Sequence, residues 1–294
     1  MLFNAEWKDY EILATGDGQK LERWRNVFLL RPDPQVIWKS NFYLENCKDL
    51  NAKYTRIGGG GSWQKLKNYP EKWEVSWRNL TFQIKPMGFK HTGLFPEQSV
   101  NWAKMIELIK EKQNKYAEPI KVLNLFAYTG GATVACTSAG AIVTHVDSAK
   151  NMVETAKVNM QLSKLDKKPV RYIVDDCKKF VEREIRRGNK YDAIIMDPPS
   201  YGRGPTGETW KIEENIYDLV LLCTQVLSEK PLFFLINSYT TGLQPLVMKN
   251  ILYRTLEKNK NYKIDYNNIE AYEVGLPTNE KIILPCGCSA FCKF

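Results

Sequence analysis

Short apolar runs alternate with amphipathic segments over most of the chain, and this alternation constrains the fold more than any other feature. From residue 121 on, strand-like runs are separated by stretches with apolar residues at helical spacing. The runs cover residues 121–127, 141–147, 170–176, 191–197 and 231–238. Strands that alternate with helices form a mostly parallel sheet covered by helices on both faces. Two last runs, 269–276 and 281–294, have no helix between them and predict an antiparallel hairpin.

The first third of the chain has a different texture. It is rich in Trp and Tyr and contains the strand-like stretches VFLLRP, QVIWK, WEVSW and LTFQI, separated by Pro, Gly and Asn. We therefore expect a small β-rich domain over residues 1–84 and an α/β domain over residues 85–294, opening with a helix from residue 99. The run Gly58 to Gly61 predicts a flexible loop, because no strand-to-helix turn surrounds it as in a phosphate-binding loop.

Composition narrows the class of partner and the compartment. The net charge is +9, which suits either a polyanionic partner such as a nucleic acid or simply a solvated basic surface. The apolar runs are too short to span a bilayer, and the N-terminus lacks a signal-peptide core. Seven cysteines without framework spacing fit a reducing compartment. We expect a cytoplasmic protein that makes no membrane contact.

Polar residues and glycines follow four successive strands, where ligands of open α/β sheets bind. Gly130 and Gly131 allow a tight turn with close backbone approach, and Thr129 is a candidate helix cap. Asp147 is placed to reach a ribose diol, and Asp175 or Asp176 an adenine amine. A dinucleotide loop, G-x-G-x-x-G, and a P-loop are both missing from the sequence. A phosphate-free adenosyl ligand fits this pattern, and S-adenosylmethionine, whose cationic groups favour acids, is the predicted cofactor.

The stretch DPPSYGRGP, which begins at Asp197, ends the fourth predicted strand of this region. Two prolines fix an extended backbone and offer no N–H donor, so the tip presents acceptors to an amine or base. The candidate catalytic residues are Asp197, Pro198 and Tyr201, the last as a stacking partner for a base. Gly202 to Gly204 are expected to form a mobile rim in which Arg203 meets a phosphate. The alternative is a structural Pro-Pro turn.

Trp210 lies beyond this rim. We expect it either to cover the substrate or to pack on the helix that begins near Glu213 and Glu214.

Four stretches resemble a known family: HTGLFPEQ (91–98), NLFAYTGGATVACTSAGA (124–141), HVDSAKNMVETAKVN (145–159) and DPPSYGRG (197–204). They are similar to the class I S-adenosylmethionine-dependent methyltransferases, and more narrowly to the bacterial large-subunit ribosomal RNA methyltransferase group. The resemblance covers residues 85–294. It implies a Rossmann-like sheet of seven strands, mostly parallel, with the C-terminal hairpin antiparallel, and methylation of a ribosomal RNA base.

The resemblance also implies a set of cofactor-binding residues. A first group surrounds the methionine part of the cofactor: Phe126, Tyr128, Thr129 and Gly130. A second group serves the ribose and the adenine: Asp147, Ser148, Asp175, Asp176 and Cys177. A third group forms a lip over the cofactor: Thr92, Gly93, Phe95 and Gln98. Asp197 completes the set beside the methyl acceptor.

The methylated atom stays open at this point. Methylation at cytosine C5 uses a cysteine nucleophile, and here neither the fourth nor the fifth strand is followed by one. Cys286, Cys288 and Cys292 in the C-terminal run are either small buried hydrophobes, the reading we favour, or a thiol that approaches the site. A zinc site lacks a marked fourth ligand, so we predict no metal.

Three functions compete at the level of the sequence. The first is an RNA methyltransferase, the second a methyltransferase of a small molecule or protein, and the third a non-catalytic RNA-binding factor that keeps the cofactor pocket. Basic and aromatic residues of the N-terminal region favour RNA, although the Trp residues would also serve as core: Trp24, Arg25, Arg31, Trp63 and Trp77.

Overall fold

The computed structural model describes residues 1–3, 6–57, 60–88, 90–115, 118–203, 209–259 and 261–294. Gly58, Gly59 and Gly204, which the sequence assigns to loops, lie outside the described residues, whereas Gly60 and Gly61 of the same predicted loop begin a strand. The chain divides into a smaller unit, residues 2–100 and 275–286, and a larger unit, Met1 with residues 101–274 and 287–294. The domain boundary proposed after residue 84 falls at the end of a strand, whereas the smaller unit extends to Val100.

The smaller unit is built from strands. They are β1 (Leu2–Phe3), β2 (Tyr10–Gly16), β3 (Gln19–Trp24), β4 (Val27–Pro32), β5 (Leu50–Ile57), β6 (Gly60–Lys65), β7 (Trp73–Trp77) and β8 (Leu80–Ile84). Strands β2 to β6 form a five-stranded sheet in sequence order, and β7 pairs with β8. Two short 3₁₀ helices cover Leu44–Asn46 and Pro96–Gln98.

One predicted strand of this unit is wrong. The stretch QVIWK, residues 35–39, forms a turn, because the Asp33 carboxylate accepts from the Gln35 N–H at 3.1 Å and bends the chain after Pro34. The carbonyl of Val36 then accepts from the Gly18 N–H at 3.0 Å. These residues therefore pack against the β2–β3 turn instead of joining the sheet.

Three of the five aromatic and basic residues that the sequence offers for RNA binding are internal. Trp24 and Trp77 are fully buried, and Arg31 pairs with the buried carboxylate of Glu22. All three are therefore unavailable for contacts with RNA. Exposed Arg25 and half-exposed Trp63 remain as candidates for that role.

The larger unit alternates strands and helices. Its strands are β9 (Lys121–Leu125), β10 (Ile142–Asp147), β11 (Val170–Val174), β12 (Ala193–Met196), β13 (Tyr201–Arg203), β14 (Thr209–Lys211), β15 (Phe233–Ser238), β16 (Ile269–Pro277) and β17 (Ile283–Lys293). The end of β16 and the start of β17, within residues 275–286, belong to the smaller unit. Its helices are α1 (Ser99–Gln113), α2 (Gly131–Ser138), α3 (Lys150–Leu162), α4 (Cys177–Arg186), α5 (Ile212–Thr224) and α6 (Pro245–Glu257), with a 3₁₀ turn at Tyr266–Asn268.

Seven of these strands lie in the order β16-β17-β15-β12-β9-β10-β11 within an eight-stranded sheet, whose remaining strand is β1, so the sheet has one strand more than the seven predicted. The five central and outer strands from β15 to β11 run parallel, and β17 is antiparallel to β15. The predicted α/β fold class is therefore confirmed. None of the helices described is both long enough and apolar enough to cross a membrane.

The register of the sheet brings the predicted site residues to one edge. Leu125 lies opposite both Val146 and Met196, and Met196 lies opposite Ile236. The residues that follow these positions are therefore level with one another at the carboxyl ends of the strands: Phe126, Asp147, Asp197 and Asn237. This is the edge where ligands of open α/β sheets bind.

Candidate active site

The loop after β9 has an unusual backbone. Phe126, Tyr128 and Gly130 all have positive φ, at 54°, 48° and 82°. Positive φ is uncommon for residues other than glycine, and it costs about 1–2 kcal/mol for each such residue. Hydrogen bonds from Ala127 N–H to the Val146 carbonyl, at 3.0 Å, and from Gly130 N–H to the Ala127 carbonyl, at 2.9 Å, hold the loop. Backbone strain of this kind is concentrated at functional sites.

The two glycines of the loop are explained by packing inside the protein. A Cβ on Gly130 would lie 2.8 Å from the Ala156 Cβ in α3. A Cβ on Gly131 would lie 2.5 Å from the buried ring of Trp102. Of the pair, only Gly130 needs positive φ. Close approach to neighbouring helices, rather than to a ligand, therefore accounts for both glycines.

The predicted capping role of Thr129 is wrong. Gly130 occupies the N-cap position of α2, and no side chain caps this end of the helix. Thr129 is buried, and its carbonyl accepts a hydrogen bond from the Asn159 amide at 2.8 Å. Thr129 thus ties the loop to α3.

Asp147 ends β10 beside this loop. Its Oδ2 accepts from the Tyr128 N–H at 2.8 Å, and its Oδ1 accepts from the Ala149 N–H at 2.9 Å. Burial raises the pKa of Asp147, although both backbone hydrogen bonds oppose the shift. Each carboxylate oxygen keeps a second acceptor position, which suits a ribose hydroxyl. Ser148, the next residue, is exposed.

The acids after β11 have structural partners. Asp175 forms an ion pair with Arg183 of α4. Exposed Asp176 caps α4, since its Oδ1 accepts from the Lys179 N–H at 2.9 Å. Buried Cys177 accepts from the Phe126 N–H, with 3.3 Å between nitrogen and sulfur. Cys177 therefore connects α4 to the strained loop. The Oδ1 of Asp176 is used as a helix cap, so the expected contact with adenine would use Oδ2.

A buried polar group below the loop was not predicted from the sequence. The Thr133 hydroxyl accepts from the Asn124 amide at 3.0 Å and lies 2.9 Å from Nδ1 of His145. Burial lowers the pKa of His145 to about 3, so its ring is neutral. The Cε1 of this ring would be 3.5 Å from a Cβ on Gly130. The sequence signal that could have located this group is the presence of three polar residues, Asn124, Thr133 and His145, in otherwise apolar elements.

The Asp-Pro-Pro-Ser stretch is held from two sides. Trp210 donates from Nε1 to the Pro199 carbonyl at 2.6 Å, and its ring packs on Phe126 with centroids 5.7 Å apart. The hydroxyls of Ser200 and Thr240 are 2.6 Å apart. Pro198 is buried and Asp197 half-buried. Trp210 thus joins the acceptor stretch to the loop after β9.

The expected mobile rim is partly wrong. Tyr201–Arg203 form β13, which pairs antiparallel with β14, with Gly202 opposite Trp210. Gly202 and Arg203 of the expected rim therefore lie in paired strands, and the bond from Trp210 to the Pro199 carbonyl anchors the second strand. Tyr201 is 52 % exposed, so its ring is accessible to a ligand. The helix expected near Glu213 begins at Ile212, with Glu213 and Glu214 in its first turn.

The lip residues belong to the smaller unit. Thr92 is fully buried, and its hydroxyl has no hydrogen-bond partner within the described residues. Gly93 has a φ of 95°. The ring of Phe95 makes an edge contact with His91 at 5.4 Å, and Gln98 is buried. A buried hydroxyl without a hydrogen-bond partner is costly.

These features fit a phosphate-free adenosyl ligand. The larger unit offers a carboxylate, Asp147, with acceptor positions left for two ribose hydroxyls. Beside it lies the strained loop, whose half-buried Phe126 and Tyr128 supply apolar contact. Carboxylates also attract the cationic groups of S-adenosylmethionine. When bound, this cofactor supplies an activated methyl group.

The fold and the candidate site are those expected of a methyltransferase of the α/β class, and comparison with known proteins gives the family. The model of the S-adenosylmethionine-dependent methyltransferase family matches residues 53–228. The chain belongs to this family, and the predictions of the family and of its cofactor are confirmed. A crystal structure of an S-adenosylmethionine-dependent methyltransferase from Agrobacterium tumefaciens is 29% identical, with a TM-score of 0.87 over 99% of this chain and 92% of that one.

Curated relatives carry ribosomal names. "Ribosomal RNA large subunit methyltransferase K/L" of Syntrophotalea carbinolica is 29% identical over 62% of this chain and 24% of the relative. "Ribosomal RNA large subunit methyltransferase I" of Escherichia coli is 33% identical over 39% of this chain and 29% of the relative. The chain thus spans about a quarter of the length of these curated relatives.

Proposed function

We propose that this protein transfers a methyl group from S-adenosylmethionine to a base of ribosomal RNA. The observation that carries the proposal is the Asp-Pro-Pro-Ser stretch that begins at Asp197. This stretch lies level with the loop after β9 and is followed by the exposed ring of Tyr201. An unpaired base can stack on such a ring while its amine donates to acceptors beside it. The names of the curated relatives and the net charge of +9 support an RNA substrate.

Direct transfer to nitrogen is favoured over a cysteine mechanism. A cysteine nucleophile acts as its thiolate. Burial raises the pKa of Cys288 to about 11 and that of Cys292 to about 12. Cys288 lies opposite Ser238 at the end of β15, but its thiol is buried and donates to the Leu243 carbonyl at 3.0 Å. Burial also raises the pKa of Cys177, which holds the loop backbone.

Each acceptor-side residue has a proposed task. Asp197 accepts a hydrogen bond from the base amine, which orients the nitrogen toward the methyl group, and takes the amine proton as the N–CH3 bond forms and the S–CH3 bond breaks. Pro198 keeps the stretch extended, Tyr201 stacks on the base, and Trp210 fixes the stretch through the Pro199 carbonyl. Arg203, whose side chain lies outside the described part of the structure, is proposed to meet a substrate phosphate. A ribosomal substrate agrees with a cytoplasmic location, as do the seven free cysteines.

Replacement of Asp197 tests this assignment against a matched control. D197N should lower methyl transfer by about 10²–10⁴-fold and leave S-adenosylmethionine affinity unchanged, because the substitution removes the charged acceptor. The control is D192N, since Asp192 precedes the same strand and accepts from the Lys121 N–H at 2.8 Å. Equal activity of D197N and D192N would remove Asp197 from the chemistry.

The substrate itself is tested by nucleoside mass spectrometry of ribosomal RNA from cells that lack the protein. The proposal predicts the loss of one methylated nucleoside, restored by the wild-type chain and not by D197N. Ribosomal RNA with an unchanged set of methylated nucleosides would refute the substrate. Incubation with RNA containing 5-fluorocytidine should give no covalent adduct, whereas an adduct would establish a cysteine nucleophile.

A further inference from the structure

The smaller unit contains a cavity separate from the residues described so far. It has a volume of about 200 Å³ and lies between the start of β2 and the turn that follows β16. Its apolar wall comes from Trp7, Tyr10, Leu276 and Pro277. Pockets for drug-sized ligands occupy about 300–1,000 Å³. The cavity therefore suits one planar ring system rather than a whole nucleotide.

The indole of Trp7 is fixed in this wall. Its Nε1 donates to the Ser99 hydroxyl at 3.0 Å and to the Pro96 carbonyl at 3.1 Å. The Tyr10 ring meets it edge-on, with centroids 6.1 Å apart. Trp7 is half-buried, so part of the ring stays accessible. An aromatic surface that is already ordered binds a planar partner at a low cost in side-chain entropy.

The polar edge of the cavity consists mainly of acceptors. The carboxylate of Glu11 accepts from Arg23 and from the Asn279 amide, the latter at 3.2 Å. Although burial opposes ionisation, these hydrogen bonds lower the pKa of Glu11, which is therefore ionised at neutral pH. The Asn279 side chain uses its N–H on Glu11 and keeps its carbonyl oxygen as an acceptor.

The chemistry of this edge selects the ligand. Arg23 already neutralises the charge of Glu11, so an ammonium cation gains little there. A neutral ring with adjacent N–H donors gains more, because each oxygen of Glu11 accepts one hydrogen bond already and keeps a second acceptor position beside that of the other oxygen. Among nucleobases, guanine offers this pair through N1–H and the N2 amine. We propose that the cavity binds an unpaired guanine base of the RNA, an inference that rests on the proposed RNA substrate.

The test uses the full-length protein and fluorescein-labelled RNA pentamers of uridine with guanosine, inosine or adenosine at the centre. Inosine keeps N1–H and lacks the N2 amine. In anisotropy titrations at one salt concentration, the guanosine pentamer should bind about tenfold more tightly than the other two, as expected for lost specific base contacts. E11Q should abolish this preference. E45Q, which changes an exposed carboxylate of the same unit that pairs with Lys53, should retain it.

The outcomes separate this proposal from the proposed function. Equal affinity of the wild-type protein for all three pentamers would overturn the guanine site, and this arm requires no variant to fold. A preference shared by E11Q and E45Q would also overturn it. If the protein prefers guanosine but cells that lack it keep an unchanged set of methylated nucleosides in their ribosomal RNA, the guanine site stands and the proposed function is refuted. If those cells lose a methylated nucleoside but the protein shows no guanosine preference, the proposed function stands and the guanine site is refuted.

Discussion

Gly130 combines a left-handed backbone conformation with close packing against α3, and Gly130→Ala tests the account of the loop. Two penalties apply to the substitution. A φ of 82° costs a residue with a Cβ about 1–2 kcal/mol. Its new methyl group would lie 2.8 Å from the Ala156 Cβ in α3, and overpacking of this kind costs about 1–3 kcal/mol. We expect the free energy of unfolding to fall by about 2–5 kcal/mol.

Two other glycines of the larger unit separate the penalties. Gly188 has a φ of 70° and nothing within 4 Å of an added Cβ, so Gly188→Ala reports the conformational cost alone. Gly131 does not have positive φ, and its Cβ would meet Trp102 at 2.5 Å, so Gly131→Ala reports the cost of crowding. All three substitutions stiffen the unfolded chain in the same way, which cancels in the comparison.

Urea unfolding followed by circular dichroism gives the three free energies, provided that the slope with urea concentration is unchanged. We expect Gly130→Ala to be more destabilising than Gly188→Ala by about 1–3 kcal/mol. Cofactor affinity should fall for Gly130→Ala and stay unchanged for Gly188→Ala, since of these two glycines only Gly130 belongs to the loop that contains Phe126 and Tyr128. Equal stability of the two variants would refute the argument that the contact with α3 requires glycine.

Three further predictions concern charge and hydrogen bonding. Although burial opposes ionisation, the charges of Arg31 and Lys20 lower the pKa of Glu22 to about 2. The stability from this pair should therefore be complete above about pH 4.5 and decline toward pH 2, and E22Q should cost about 3–5 kcal/mol at pH 7 by urea unfolding. Because burial raises the pKa of Asp147, S-adenosylmethionine affinity measured by calorimetry should begin to fall at a higher pH than for an ordinary aspartate. Trp210→Phe removes the hydrogen bond to the Pro199 carbonyl, which is worth about 1 kcal/mol. The variant should transfer methyl groups about fivefold more slowly at unchanged cofactor affinity. Unchanged kinetics would contradict the proposal that Trp210 positions the Asp-Pro-Pro-Ser stretch.

The alternation of strands and helices from residue 121 was predictable because local apolar periodicity and burial agree there. Each predicted element is present, with ends displaced by a few residues. The strand-end positions of Asp147 and Asp197 follow directly from that pattern, since parallel strands place their carboxyl ends at one edge.

The missed features depend on contacts between residues distant in the sequence. The turn at residues 35–39 is set by the Asp33–Gln35 hydrogen bond and by the bond from Gly18 in the β2–β3 turn to the Val36 carbonyl, rather than by its own β propensity. The pairing of β13 with β14 requires Trp210 to reach the Pro199 carbonyl. The burial of Trp24 and Trp77 follows from packing between strands, and no local pattern distinguishes such core residues from exposed stacking residues.

Calorimetric titration of the purified chain tests the central claim most directly. A pocket formed by the strained loop after β9 and the carboxylate of Asp147 should bind S-adenosylmethionine and its demethylated product, S-adenosylhomocysteine, each at one site per chain. NAD and ATP should give no comparable heat. Binding of NAD or ATP, together with no binding of either adenosyl ligand, would contradict the account.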